Sequence, residues 1–167
     1  MITVDNKYFE KITGWAEAIV AEREKYFLVH LKILPGNKIE VYVDADEGAS
    51  IDVLAEMNRR LRKQIDAAAL FPDGNFSLDV SSPGLDEPLV KFRQYRKNIG
   101  REVDVVLTDG RKKMGVLKAV EAERILLAPK LKEKKGKKQK KIESIKKREP
   151  EYFSFDKIKS TKVCISF

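Results

Sequence analysis

Phe76-Ser-Leu-Asp-Val-Ser-Ser-Pro-Gly-Leu-Asp-Glu-Pro-Leu89 joins an alternating segment to a turn held between two prolines. Phe76, Leu78 and Val80 fall on one face of a strand and Ser77, Asp79 and Ser81 on the other, because strand side chains alternate with period two. Pro83 has no N–H and drives Ser82 into an extended conformation, so the strand ends there. Pro83-Gly84 suits the two central positions of a type II turn, with Gly84 at positive φ, and Pro88 keeps the exit extended. By physics alone the stretch is a stiff connector. Its junction residues are Ser81, Ser82, Pro83, Gly84, Leu85, Asp86 and Pro88.

On the N-terminal side, Tyr8, Phe9, Ile12, Trp15, Ala16, Ile19 and Val20 recur at helical spacing between Asn6 and Glu24. Phe27, Val29, Leu31 and Ile33 then alternate, Pro35-Gly36-Asn37 supplies a turn, and Ile39, Val41 and Val43 alternate again, which predicts a hairpin. Ser50 is the expected N-cap of a second helix striped by Ile51, Leu54, Met57, Asn58, Leu61, Ile65 and Ala68. The order helix, strand, strand, helix, strand packs as a layer with both helices on one face of a three-stranded sheet.

On the C-terminal side the texture changes to short strands at 103–107, 114–117 and 125–127, with Thr108-Asp-Gly110 as a turn. Gly115 inside a strand fits a sharp bend or bulge, and segments 152–155 and 163–167 would complete a five-stranded small barrel of SH3-like or Sm-like type. Residues 130–150 are left over as an insertion. The expected class is α+β: an N-terminal two-helix, three-stranded layer domain (1–82), a proline-stiffened junction and linker (83–100), and a C-terminal SH3-like/Sm-like barrel (101–167).

Val80-Ser-Ser-Pro-Gly-Leu-Asp-Glu-Pro-Leu89 resembles the domain-junction signature of the ribosome maturation factor RimP family, proteins that assist assembly of the small ribosomal subunit. The resemblance covers nearly the whole chain except 130–150, and it implies an α+β first domain and an Sm-like second one. In that family the position of Glu87 is commonly Arg or Lys, so a basic contact there does not carry over. The first-domain order also resembles the KH fold, whose hallmark is a Gly-x-x-Gly loop that clamps a nucleic-acid backbone. This chain contains no such loop, which disfavours RNA binding of that kind by residues 1–82.

The net charge of +8 is unevenly placed. Residues 1–82 carry 10 basic and 14 acidic side chains, residues 83–129 carry 10 and 7, and residues 130–148 carry 11 and 2. Attraction to a polyanion must therefore come from the second half, above all from Lys134, Lys135, Lys137, Lys138, Lys140 and Lys141. That segment has only Leu131, Ile142 and Ile145 as apolar residues and cannot bury a core; without a partner it is a solubilising loop. Lys91, Arg93, Arg96, Lys97 and Arg101 are interleaved with Phe92 and Tyr95, and Arg111, Lys112 and Lys113 sit on an expected turn. Arginine forks pair with phosphate and aromatics stack on unpaired bases, so these residues form a candidate RNA surface. The bland alternative is that Phe92 and Tyr95 pack the linker onto the barrel while the charges face water.

Catalysis finds little support. Asp44, Asp46 and Glu47 lack calcium-loop spacing and are explained by loop solubility and a helix N-terminus. His30, expected on the strand face opposite Phe27, Val29, Leu31 and Ile33, and Cys164, expected as a packed thiol, make no zinc set or nucleophile pair. No phosphate-binding or dinucleotide glycine motif occurs. No metal or cofactor is expected. One cysteine, no signal-peptide pattern and no membrane-length apolar run point to a soluble cytoplasmic protein, expected as a monomer. The resemblance implies a non-catalytic assembly factor that binds immature small subunits through rRNA and a ribosomal protein. The alternatives are a general Sm-like RNA-binding module and, last, a metal-dependent nuclease using Asp44 and Asp46.

Overall fold

The computed structural model describes residues 6–84, 86–129 and 149–164. The chain divides into two units, Met1–Pro83 and Gly84–Phe167. It is a mixed α and β protein with three α-helices and two sheets among the described residues. None of these helices is long and apolar enough to cross a membrane.

The first unit runs α1 (Asn6–Ala21), β1 (Tyr26–Leu34), β2 (Lys38–Ala45), α2 (Ile51–Ala67) and β3 (Ser77–Ser81). The apolar stripe of α1 buries Ile12, Ala16, Ile19 and Val20, and that of α2 buries Leu54, Met57, Leu61 and Ile65. Both stripes meet Ile39, Val41 and Val43 of β2 in one core. Phe9, expected on the α1 stripe, is instead exposed. The sheet order is β1-β2-β3; β1 and β2 are antiparallel, whereas β2 and β3 are parallel with α2 crossing between them. The hairpin turn needs left-handed φ at Gly36 (84°) and Asn37 (57°), two residue types that tolerate it. Ser50 does cap α2 by position, but its side chain makes no cap bond; its backbone N–H donates to Tyr26 Oη at 3.1 Å.

The alternation expected along β1 breaks at Val29. Leu28 pairs with Val43 and His30 with Tyr42, so Val29 is an extra residue in the ladder. Because one extra residue flips every later side chain, Tyr26 and Leu28 before the bulge share the helix-covered core with Leu31 and Ile33 after it. Phe27, paired with Asp44, falls on the opposite face together with His30 and Tyr42. The expected single face of Phe27, Val29, Leu31 and Ile33 is thus split.

The second unit contains α3 (Phe92–Lys97), β4 (Glu102–Leu107), β5 (Lys112–Val120), β6 (Arg124–Ala128), β7 (Glu151–Ser154), a 3-10 turn (Phe155–Lys157) and β8 (Ile158–Val163). The sheet order is β7-β6-β5-β4-β8, all neighbours antiparallel. Its inner face gathers Val103, Val105, Leu107, Leu117, Ile125, Leu127 and Phe153, and Tyr95 of α3 packs onto them. Tyr95 Oη donates to Thr161 Oγ1 at 2.9 Å inside this core, and burial pushes the Tyr95 phenol above its ordinary pKa. A buried hydroxyl pair of this kind is satisfied only if helix and last strand are held together.

Several expectations for this unit change. The described strands form an open sheet, with no ladder between the edge strands β7 and β8, rather than the closed barrel expected. Among the described residues the last strand is Ile158–Val163, starting earlier than expected because the 3-10 turn after Ser154 already reverses the chain; of the expected 163–167 segment, 165–167 lie outside the described residues. The β5 bulge lies between Leu117 and Ala119 and not at Gly115. Gly115 answers to a close backbone approach: a Cβ there would sit 2.5 Å from the Ala128 carbonyl oxygen. Gly84 does not take the positive φ of a type II turn; instead its carbonyl accepts the Glu87 N–H at 3.0 Å, so the turn closes two residues later. Beyond it, Leu89 N–H donates to the Thr161 carbonyl at 2.8 Å, which ties this stretch to β8.

Candidate functional site

The short helix α3 exists because Gln94 caps it. Gln94 Oε1 accepts the N–H groups of Val90 (2.7 Å) and Lys91 (2.9 Å), and Asn98 Nδ2 donates to the Gln94 carbonyl at 2.7 Å. Capping buries Gln94, Tyr95 and Asn98 against the sheet. The remaining positions face outward: Lys91, Phe92 and Arg96 are exposed, while Arg93 and Lys97 are half-buried. Of the two aromatics that could stack on bases, Tyr95 is taken by the core and Phe92 is left outside, with the Arg96 guanidinium 6.0 Å from its ring centre. Arg101 is exposed just before β4, its carbonyl accepting the Leu117 N–H at 2.9 Å.

At the β4–β5 turn, strand alternation separates the three adjacent cations. Arg111 folds back on Asp109: its Nε donates to Oδ2 at 2.8 Å and its backbone N–H to Oδ1 at 3.0 Å. These bonds, backbone first and side chain second, hold the Asp109 carboxyl below its ordinary pKa. Lys113 pairs with Val105 and lies on the core side of the sheet, whereas Lys112 pairs with Val106 on the other side. The α3 cations belong to the core side, where Tyr95 packs; Lys112 does not share it. Lys134, Lys135, Lys137, Lys138, Lys140 and Lys141 lie outside the described residues, as does Leu85 of the junction.

Asp44 and Glu47 have engaged carboxylates, and Asp46 is held through its backbone. Asp44 Oδ1 accepts the Ala45 N–H, the Asp46 N–H donates to the Lys25 carbonyl, and Glu47 Oε1 accepts Lys25 Nζ at 2.8 Å. His30 is half-buried with its ring 4.5 Å from that of Tyr42. Cys164 is half-buried and in no disulfide, its N–H donating to the Glu102 carbonyl at 2.9 Å. Among the described residues no group of three His, Cys, Asp or Glu side chains is placed to hold a metal ion.

The outer face of the second sheet carries a feature that sequence reading missed. Leu126 pairs with Tyr152 and Val116 with Ala128, so Met114, Val116, Leu126, Ala128 and Tyr152 share this face. Arg124 lies across it with its guanidinium 3.8 Å from the centre of the Tyr152 ring, and Arg124 Nε donates to Glu121 Oε2. The signal was half present: in Arg124-Ile-Leu-Leu-Ala128, period two already sends Arg124, Leu126 and Ala128 away from the core. The β6–β7 pairing that brings in Tyr152 could not be read across the intervening residues.

Comparison with known proteins gives two kinds of match. A family model described as the RimP N-terminal domain matches residues 17–86. The chain is 34% identical over 161 residues to a protein of Cytophaga hutchinsonii named ribosome maturation factor RimP, covering 94% of this chain and 96% of that protein. It is 38% identical over 96 residues to the protein of the same name from Christiangramia forsetii, covering 58% of this chain and 60% of that one.

Proposed function

Since the chain belongs to the ribosome maturation factor RimP family, we propose that it acts in ribosome biogenesis, as a non-catalytic factor that binds immature small subunits through rRNA and a ribosomal protein and leaves the finished particle. The similarity to a ribosome maturation factor over 94% of the chain carries this reading. A factor of this kind works by differential affinity: it must bind the immature conformation more tightly than the mature one, or it shifts no equilibrium.

The charge split supports a division of labour. An acidic domain at 1–82 suits the basic surfaces of ribosomal proteins, a basic domain at 101–167 suits rRNA, and the 83–100 junction joins them. Within the second unit, Lys91, Arg96, Arg101 and Lys112 are exposed cations available for phosphate, joined by the Lys-rich stretch of 130–148. The strand order, in which the last described strand returns to pair with the first of the sheet, supports reading this unit as related to Sm-like small barrels, although its described strands form an open sheet. The protein is proposed to work as a cytoplasmic monomer without a cofactor.

Gradient sedimentation of a lysate containing the tagged chain tests the proposal. Enrichment with free small subunits and absence from assembled ribosomes is expected. Even association with all RNA-containing fractions would favour a general RNA-binding module instead.

A further inference from the structure

We propose that the outer face of the second sheet, at its β6–β7 end, is a stacking platform for an unpaired nucleotide, built from the Tyr152 ring and the Arg124 guanidinium. This deepens the proposed function and rests on its RNA contact, because it names the kind of RNA and the place that takes it.

Tyr152 stands on the edge strand β7 and is 45% exposed. Its neighbour Leu126 and the nearby Val116, Ala128 and Met114 (52% exposed) give it an apolar floor on the solvent side of the sheet, opposite the core. A single exposed apolar residue needs no explanation, but a contiguous strip around an aromatic ring marks a contact surface. The arginine selects the partner. Arg124 lies 3.8 Å from the ring centre, its Nε is held by Glu121, and its side chain is still 48% exposed. Pinning Nε leaves the two Nη groups, which donate to no other group among the described residues, to meet an acceptor in solvent. A guanidinium seated over an aromatic ring has little side-chain entropy still to lose, and it offers a phosphate-matched fork together with a π surface. Unpaired bases with their phosphates supply both halves of that complement, a π face and an anion; duplex RNA keeps its base faces stacked and supplies only the anion. Of the carboxylates near this face, Glu102 and Asp104 lie on β4, two strands from β6, and Glu121 is the one beside Arg124, spent on its Nε. The Nη groups of Arg124 are thus the part of this sheet end that can meet an anionic strand.

The test compares the full chain with Tyr152→Ala, Tyr152→Phe and Arg124→Gln in fluorescence anisotropy, using a labelled mixed-sequence single-stranded RNA and a duplex of the same sequence. Tyr152→Ala is expected to weaken single-strand binding about tenfold and to leave duplex binding nearly unchanged, while Tyr152→Phe, which keeps the ring, stays within about twofold of the parent. Arg124→Gln should flatten the slope of log affinity against log salt by about 0.7, the loss of one phosphate contact on a single strand. Tyr152 is on an edge strand, so thermal melts accompany each variant; if Tyr152→Ala melts early, the comparison of Tyr152→Phe with Arg124→Gln decides. Single-strand binding by Tyr152→Ala or Arg124→Gln equal to the parent overturns the platform and leaves the assembly function standing. A parent chain that binds neither RNA removes the RNA contact itself, and the platform with it. Unchanged single-strand affinity together with lost binding to immature subunits assigns the face to a protein partner and also overturns the proposal.

Discussion

In the first unit the arginine ion pairs span the fold, with Arg23 reaching Glu56 and Arg60 reaching Glu22 through two parallel bonds, across 33 and 38 positions of sequence, while the lysine pair Lys38–Glu40 is local. In the second unit the pairs Arg111–Asp109 and Arg124–Glu121 join residues two and three apart. A long-range pair helps hold two elements together. A short-range pair cannot, because its partners are neighbours in the unfolded chain as well; it orients one side chain at the surface. The acidic unit thus uses arginine to close its own structure, and the basic unit keeps Arg111 and Arg124 in local pairs at its surface. The same contrast holds for the aromatics. Tyr42 is half-buried against His30, with its hydroxyl donating to Glu40 at 2.8 Å, whereas Tyr152 lies open beneath Arg124.

The contrast breaks most visibly if the Lys-rich stretch is removed. Residues 130–148 hold 11 of the chain's cations, and deleting them should weaken RNA binding by orders of magnitude at low salt. If only four of those cations meet phosphate, the salt slope flattens by about 3; an unchanged slope would make the stretch a bystander.

Next in size is Gly115→Ala. The added Cβ would overlap the Ala128 carbonyl, so β5 and β6 must move apart at a cost of about 2–3 kcal/mol. Hydrogen exchange should show lost amide protection concentrated in 84–167. Equal loss in 6–83 would mean that the two units do not respond separately.

Tyr95→Phe deletes the hydroxyl that joins α3 to β8 and leaves Thr161 Oγ1 buried without it, for about 1–2 kcal/mol read as a lower urea midpoint. The parent should also lose stability in alkali. The folded-state pKa of Tyr95 is raised, so its contribution is complete below about pH 10 and is lost as pH rises through the higher folded value. Tyr95→Phe should remove that part of the alkaline transition.

The smallest effects concern the surface pairs. Arg60 bonded to Glu22 holds that carboxyl below its ordinary pKa, as the Tyr42 hydroxyl does for Glu40. Because the folded values are depressed, the unfolded chain takes up these protons first. The stabilisation is present above the ordinary carboxylate range and fades as pH falls through the folded values. Glu22→Gln should therefore lower the melting temperature slightly at neutral pH, less so at high salt and not at all in acid. Asp109→Asn, whose partner is local, should leave melting unchanged.

Much of this was legible in the sequence because it depends on local period and on turn chemistry. The helical stripes at Ile12–Val20 and Leu54–Ile65, the alternation of Phe76, Leu78 and Val80, and the three-residue turn at Pro35-Gly36-Asn37 all require only neighbours within a few positions. The charge asymmetry and the family signature at Val80–Leu89 are likewise linear properties. Candidate site residues fared less simply. Adjacent cations such as Lys112 and Lys113 read as one patch along the chain, yet the pleat sends them to opposite sides of the sheet.

What only the tertiary structure decided is which residues meet across strands. The bulge at Val29 reverses the sidedness of β1, and it exists in the pairing of β1 with β2, not in either strand alone. Gly115 is required by a carbonyl thirteen positions away, and Tyr95 is withdrawn from the surface by Thr161, sixty-six positions away. Arg124 finds Tyr152 because β6 pairs with β7 in a register that period-two reading cannot supply. Sequence determines the local preference of each segment through its dihedral and hydrophobic pattern. Register and close approach are settled by contacts between segments, and those form only when the chain has folded.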